Sequence, residues 1–300
     1  MKYGSYIYFH AREEANLTPE LRLDHLRRAG YDFVGLYYNE HLLPAVRYCE
    51  KIDLPVENVH LECNGTSYIW VGGEEAEAMV ENYCRQIRTC ADLGIKDGIV
   101  HVTYGPVLLP PSEEGLRRYE RIVDCAEKHN FRLCVENSKA TAHLGAVMDR
   151  FQGPNVRFCY DSGHDLGMAW DTEYLYQYLP SYGDRLAAVH IHDSIKGFDM
   201  HMAPFDGAID WERVAKDLAA TAYGRQKLCA EIGGRVCAQK PGKTAAQLRE
   251  TYKDFAIIDD ESLVKFYDGY YTVYDSLSPE EILDRYLNGL KKIAKMIGSC

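Results

Sequence analysis

Short, nearly continuous apolar runs alternate with longer amphipathic stretches along this chain of 300 residues. The runs read GSYIYF, YDFVGLY, ENVHLE, GIVHVTY, RLCVEN, VRFCYD, LAAVHIHD and KLCAEI. Runs this short and this uniformly apolar belong to strands covered on both faces, the condition of a parallel sheet under helices. The intervening stretches predict helices. LTPELRLDHLRRAG carries Thr18 as N-cap, Pro19 at the first position and Gly30 past the end. Further helices are expected near 40–51, 74–93, 112–129, 141–150, 171–179 and 210–222, between strands at 57–63, 97–104, 131–136, 155–161, 185–193 and 226–231. Eight strands alternating with helices spell a (β/α)8 TIM barrel. A doubly wound open sheet is the alternative, but it gathers its site from few strands at one switch point.

The regularity lapses over 233–277, which holds GGRVCAQKPGK, a helix-like TAAQLRETYKDFAI and the tyrosine-rich YDGYYTVYD, and a final helix follows over 278–298. Residues 1–300 are therefore expected to form a single barrel domain with an excursion after strand eight. Insertions of this kind shape substrate pockets or subunit contacts, so a homo-oligomer is one expectation; tyrosines packed on the barrel surface are the other.

Six of the runs end in a metal-ligand side chain: His60, His101, Glu136, Asp161, His190 and Glu231, spaced 25 to 41 positions apart. That is one βα unit per ligand, and the carboxyl ends of barrel strands converge on one mouth. Singly, each is as easily a satisfied core group. Together they demand more, because an unpartnered buried carboxylate costs several kcal/mol. Imidazole and carboxylate in one mouth suit Mn, Zn, Co or Fe. The loops add Asp161-Ser-Gly-His164, His190-Ile-His192-Asp193 and Asp199-Met-His201, the last expected in an extended loop. Residues i and i+2 of a strand share a face, so His190 and His192 can both point inward.

At 46% hydrophobic and 26% charged residues, the composition supplies a sizeable core and argues against disorder. Ten cysteines without a Cys-x-x-Cys pair read as reduced, mostly buried thiols. MKYGSYIYFH carries no signal pattern and no uncharged stretch is long enough to span a bilayer, so no membrane association and a cytoplasmic location are expected. A net charge of −11 disfavours nucleic acid as a partner, although it leaves a local basic patch open.

On LCVENS, FCYDSGHDLG, VHIHDSIKG and HMAPFDGAIDW, residues 1–232 resemble the xylose isomerase-like TIM barrel superfamily, which joins sugar isomerases and epimerases with the endonuclease IV group of AP endonucleases. The sugar epimerases of that superfamily hold one divalent metal. The resemblance places it, as Mn, Zn, Co or Mg, on Glu136, Asp161, His190 and Glu231, with Glu136 and Glu231 as the acid/base pair across the mouth and His164 on a substrate hydroxyl. A Lewis acid lowers the cost of an enediolate, and two carboxylates can remove and return its proton. Endonuclease IV holds three zinc ions on nine ligands. The resemblance offers a candidate for each: His60, His101, Glu136, Asp161, His164, His190, Asp199, His201 and Glu231. Against that alternative, the chain lacks a basic, aromatic run for gripping a bent duplex, and its CNGTSYIW loop departs from the group. It departs from some epimerases too, since NSKATAHLG brings no carboxylate before Asp149. The expectation is a divalent-metal-dependent isomerase or epimerase of a sugar, sugar phosphate or polyol. A multi-zinc phosphodiesterase is the first alternative and a non-catalytic barrel with a binding role the second. Lys196, in DSIKG, is a candidate for binding a substrate hydroxyl or phosphate oxygen.

Overall fold

The computed structural model describes residues 1–6, 18–104, 109–138, 140–167, 175–196, 198–232, 244–251, 253 and 276–300. Its elements in the first half are β1 (Lys2–Tyr6), α1 (Pro19–Ala29), β2 (Phe33–Tyr37), α2 (Leu42–Lys51), β3 (Val56–His60), α3 (Tyr68–Val71), α4 (Glu74–Asp92), β4 (Asp97–Val100), α5 (Glu113–Lys128), β5 (Arg132–Glu136) and α6 (Thr141–Arg150). The second half holds β6 (Val156–Asp161), α7 (Ser162–Gly167), α8 (Tyr178–Tyr182), β7 (Leu186–His190), β8 (Asp193–Ile195), β9 (Phe198–Met202), α9 (Trp211–Ala219), β10 (Lys227–Ala230), α10 (Ala245–Thr251) and α11 (Pro279–Ser299).

Eight parallel strands run in the order β10-β1-β2-β3-β4-β5-β6-β7. The ring closes where the Ile191 N–H donates to the Cys229 carbonyl (2.8 Å) and the Glu231 N–H to that of Ile191 (3.3 Å). This is the (β/α)8 TIM barrel read from the alternation of runs. Local chemistry agrees at both ends of the chain. In α1, Thr18 Oγ1 accepts from Leu21 N–H and Gly30 ends the helix at φ +94°. In α11, Ser278 and Glu281 form a reciprocal capping box. Leu23 and Leu26 of α1 and Leu283, Leu290 and Ile293 of α11 are fully buried, each contributing about 1.5–3 kcal/mol of apolar burial. The nine described cysteines are free thiols, six of them buried. No described helix is long and apolar enough to cross a membrane.

Four expectations change. The strand expected over 57–63 stops at His60. The strand expected over 97–104 stops at Val100. Beyond it the Val102 carbonyl accepts from Trp70 Nε1 (2.6 Å) and the Tyr119 hydroxyl (2.9 Å), so side chains replace the ladder. The strand expected over 185–193 stops at His190, capped by Ser162 Oγ, which donates to the His190 and His192 carbonyls (3.3 and 2.7 Å). Residues 193–202 then leave the barrel as an antiparallel hairpin, β8 with β9, so Asp199 and His201 stand on a strand and not in an extended loop. Of the 171–179 helix, residues 171–174 lie outside the described residues and Tyr178 begins α8. Of the 233–277 excursion, the TAAQLRET segment is helical as α10, and YDGYYTVYD lies outside the described residues.

Candidate metal centre

The six residues found at the ends of apolar runs all stand on the carboxyl rim. His60, Glu136, Asp161 and His190 are the last residues of β3, β5, β6 and β7, while His101 and Glu231 directly follow β4 and β10. All six are at most 8% exposed. They gather into sets whose ligand atoms lie within 4.8 Å of one another.

The rim set is Glu136, Asp161, His190 and Glu231. His190 Nδ1 is its hub, 2.9 Å from Glu136 Oε1, 3.2 Å from Glu231 Oε2 and 3.6 Å from Asp161 Oδ2. The side set is His60, His101 and Glu136. There the other glutamate oxygen, Oε2, meets His101 Nε2 at 2.9 Å and His60 Nε2 at 3.4 Å. Glu136 therefore joins the rim and side sets, one through each oxygen. The hairpin set is His164, His192, Asp199 and His201. In it Asp199 lies 3.5 Å from His164 Nε2 and 3.3 Å from His201 Nε2, and the His192 and His201 rings stack at 4.0 Å. Asp161 links this set to the rim, with Oδ2 3.0 Å from His192 Nε2. Lys196 stands exposed on the turn between β8 and β9.

Supporting bonds orient these rings. His60 Nδ1–H donates to the Leu61 carbonyl (2.8 Å), which turns Nε2 toward Glu136, and His164 Nδ1–H donates to the Asn137 carbonyl (2.9 Å), which turns Nε2 toward Asp199. Such outer bonds fix the tautomer of a metal-binding imidazole. The Asn137 side chain also clamps Asp161, donating to its carbonyl (2.8 Å) and accepting from its N–H (2.7 Å). The Tyr37 hydroxyl donates to Glu231 Oε1 (3.1 Å). Cys159 joins Glu136 and His190 in a further set. Sequence reasoning missed Tyr37, Asn137 and Cys159. The available signal was position: Tyr37 ends β2, Asn137 follows Glu136, and Cys159 lies two residues before Asp161 on the same inward face.

The electrostatics are those of acids and bases holding each other's protons. Burial raises Glu136, but His190 and His101 more than offset it and hold the carboxyl well below its usual range. Burial likewise opposes ionisation of Glu231 and Asp199, and His190 and His201 in one case, His201 and His164 in the other, bring each well below. For His201, burial works against charge, yet Asp199 and Glu231 push its imidazole up to about 10. His190 is likewise raised well above its usual value, burial being offset by Cys159, Glu136 and Glu231. His101 moves the other way because burial outweighs the pull of Glu136.

A divalent cation fits these residues. Asp199 Oδ1 and Glu231 Oε2 face imidazole nitrogens at 3.3 and 3.2 Å without forming a hydrogen bond, and His192 Nδ1 is buried with no hydrogen-bond partner. Mixed imidazole and carboxylate donors suit Mn, Zn, Co or Fe.

The matching family model, the xylose isomerase-like TIM barrel, covers residues 23–255. The chain belongs to that family. A curated relative, the uncharacterised protein y4fM of Sinorhizobium fredii, is 32% identical over 164 residues, half of this chain and 51% of its own length. The chain thus matches about half the length of that relative. Among solved structures, D-allulose 3-epimerase from Methylomonas sp. with D-allulose is 16% identical, with a TM-score of 0.68 over 97% of this chain and 96% of its own. An L-ribulose 3-epimerase is 14% identical, with a TM-score of 0.68 over 100% and 96% of the two chains. The IolI protein with a bound zinc atom is 15% identical, with a TM-score of 0.68 over the whole of both. At these identities the likeness is one of fold.

Proposed function

We propose that this xylose isomerase-like barrel is a divalent-cation-dependent isomerase or epimerase of a sugar, sugar phosphate or polyol. The observation that carries the reading is the rim set, where Glu136 and Glu231 face one imidazole nitrogen at 2.9 and 3.2 Å. Two carboxylates placed on either side of a substrate carbon can take its proton from one face and return it to the other. The names of the epimerase and IolI structures, which share the fold, support a sugar as substrate and a metal as cofactor.

Glu136, Asp161, His190 and Glu231 hold the cation, which supplies Lewis acidity to the substrate carbonyl. Glu136 and Glu231 remove and return the proton on the adjacent carbon. The Tyr37 hydroxyl steers Glu231 through Oε1, and His101 steers Glu136 through Oε2. Burial keeps bulk water from the carboxylates, with Glu136 fully enclosed and Glu231 6% exposed. His164, with Nδ1–H given to the Asn137 carbonyl and Nε2 facing Asp199, serves the hairpin set and not the substrate, while Lys196, exposed at the hairpin tip, binds a hydroxyl or phosphate oxygen at the entrance. Turnover of a ketose in heavy water brings deuterium into the substrate carbon; full conversion without incorporation overturns the proton-transfer reading.

One observation favours a second reading. The two oxygens of Glu136 face separate ligand sets and a third set adjoins through Asp161, an arrangement suited to several cations and phosphodiester cleavage. Elemental analysis separates the two readings. Mn, Co or Mg bound with conversion of a ketose supports the isomerase, and close to three Zn with cleavage of an abasic-site duplex supports the phosphodiesterase.

A further inference from the structure

The hairpin set is built on strained backbone, and the strain has identifiable holders. Two non-glycine residues in its segment adopt left-handed backbone, His201 at φ +45° and Phe205 at φ +77°. Side chains other than glycine occupy that region only where the surroundings over-determine it. One of the two is a candidate ligand whose ring must meet Asp199 and stack on His192.

The final helix α11 lies along this segment. The Tyr286 hydroxyl donates to the His201 carbonyl. Arg285 pairs with both oxygens of Asp206 (2.5 and 2.6 Å), Lys292 covers the Phe205 ring at 5.2 Å, and Gly289 admits Pro204 so closely that a Cβ there would come within 2.8 Å. On the other side stands Asp193, fully buried, with Oδ2 accepting from Phe205 N–H (2.9 Å) and Trp211 Nε1 (2.8 Å) and Oδ1 from Ser194 N–H (2.8 Å) and Ile209 N–H (3.1 Å). Each left-handed residue thus has its own holder.

We propose that Tyr286 is a positioning residue for His201: its phenol locks the left-handed backbone that aims the imidazole into the hairpin set, while Asp193 holds Phe205, so α11 completes a cation site to which it contributes no ligand. This rests on reading His164, His192, Asp199 and His201 as cation ligands. The carbonyl is the point of action because it fixes the peptide plane directly after the ligand's Cα, and a bond there resists rotation about ψ of His201. A methylene or ring contact would not.

The experiment is a Co2+ titration of the metal-stripped full-length chain, followed by d–d absorbance and calorimetry. It compares wild type with Tyr286→Phe, Asp193→Asn and a matched control, Tyr31→Phe. The control removes another buried phenol-to-carbonyl bond onto the same helix, from Tyr31 to Leu283 (2.9 Å), but away from His201. Tyr286→Phe weakens one Co2+ equivalent about tenfold or more and leaves the other within about twofold, in the range known for supporting residues. Asp193→Asn weakens the same equivalent, and Tyr31→Phe changes neither. Positioning by Tyr286 is overturned if Tyr286→Phe titrates like wild type, or if Tyr31→Phe weakens binding as much. A wild type that takes up a single Co2+ per chain overturns the cation reading of the hairpin set and the inference with it. That failure is visible in the wild-type trace and leaves the rim-set isomerase standing.

Discussion

The rim set and the hairpin set are built in opposite ways from the same side chains. Glu136 and Asp161 end strands whose ladders are paired on both sides, and His190 ends a strand paired with β6 and joined to β10 by the Ile191 bridge, so ordinary extended backbone delivers all three to the mouth. The hairpin set is carried by a six-residue helix, by His192 two residues past the end of β7, and by a two-stranded hairpin outside the barrel. It needs left-handed backbone at His201 and a glycine at 163, where a Cβ would lie 1.8 Å from the His192 ring. A barrel rim thus provides convergence as a by-product of its architecture, whereas an appended site has to be held together residue by residue.

The largest effect belongs to the residue the rim set shares. On the proposed roles, Glu136→Gln removes an acid/base group and a ligand shared by the rim and side sets, and kcat/KM for a sugar substrate should fall by roughly 10³-fold, within the span of general acid–base catalysis. Retention of more than a tenth of wild-type activity would end its catalytic assignment. On the cation reading of the hairpin set, His201→Ala should weaken binding there on the order of 10²-fold, the upper end of what supporting residues cost. Rim-set cation binding should stay within a few-fold, and equal losses at both sets would erase the distinction drawn here.

Gly163→Ala tests the same contrast by packing. The new methyl displaces His192, costing about 1–3 kcal/mol of stability as an overpacked core does. Thermal unfolding gives that figure, and the Co2+ trace should lose the hairpin-set equivalent alone. A stable variant with normal Co2+ uptake would show that His192 can move without loss.

The pH dependence sharpens the contrast between the hairpin and side sets. With burial opposing it, Asp199 and Glu231 hold His201 up to about 10, so at neutral pH a cation must displace its proton. Apparent affinity at the hairpin set then rises at least about tenfold per pH unit from 6.5 to 9, because protonated His201 dominates throughout that window and His164, which burial lowers but Asp161 and Asp199 raise well above its usual value, adds to the slope. His101 is shifted down by burial and imposes no such slope on the side set in the same window. Co2+ titrations at three pH values decide it, and parallel slopes would contradict the difference. The smallest expected effect is at the entrance, where Lys196→Ala should lower kcat/KM about tenfold; an unchanged value removes Lys196 from the site.

The apolar runs made the rim legible because a side chain that ends a buried parallel strand has one place to go, the barrel mouth. His60, His101, Glu136, Asp161, His190 and Glu231 follow from that rule. The supporting residues do not. Tyr37 reaches Glu231 across 194 positions and Tyr286 reaches His201 across 85. No local pattern encodes pairings of that range. The hairpin was hidden for a related reason: LAAVHIHD reads as one unbroken strand run, and only the capping of the His190 and His192 carbonyls by Ser162 shows where the barrel ends.

By itself, the sequence determined the alternation of strands and helices, and with it the barrel and the rim that gathers its acids and imidazoles. Period and capping are local properties, written in neighbouring residues. Only the tertiary structure decided that Glu136 divides its two oxygens between sets, that Asp161 bridges to His192, and that the last helix holds the backbone of His201. Those are contacts between distant segments, fixed by how the closed barrel packs and not by any one stretch of chain.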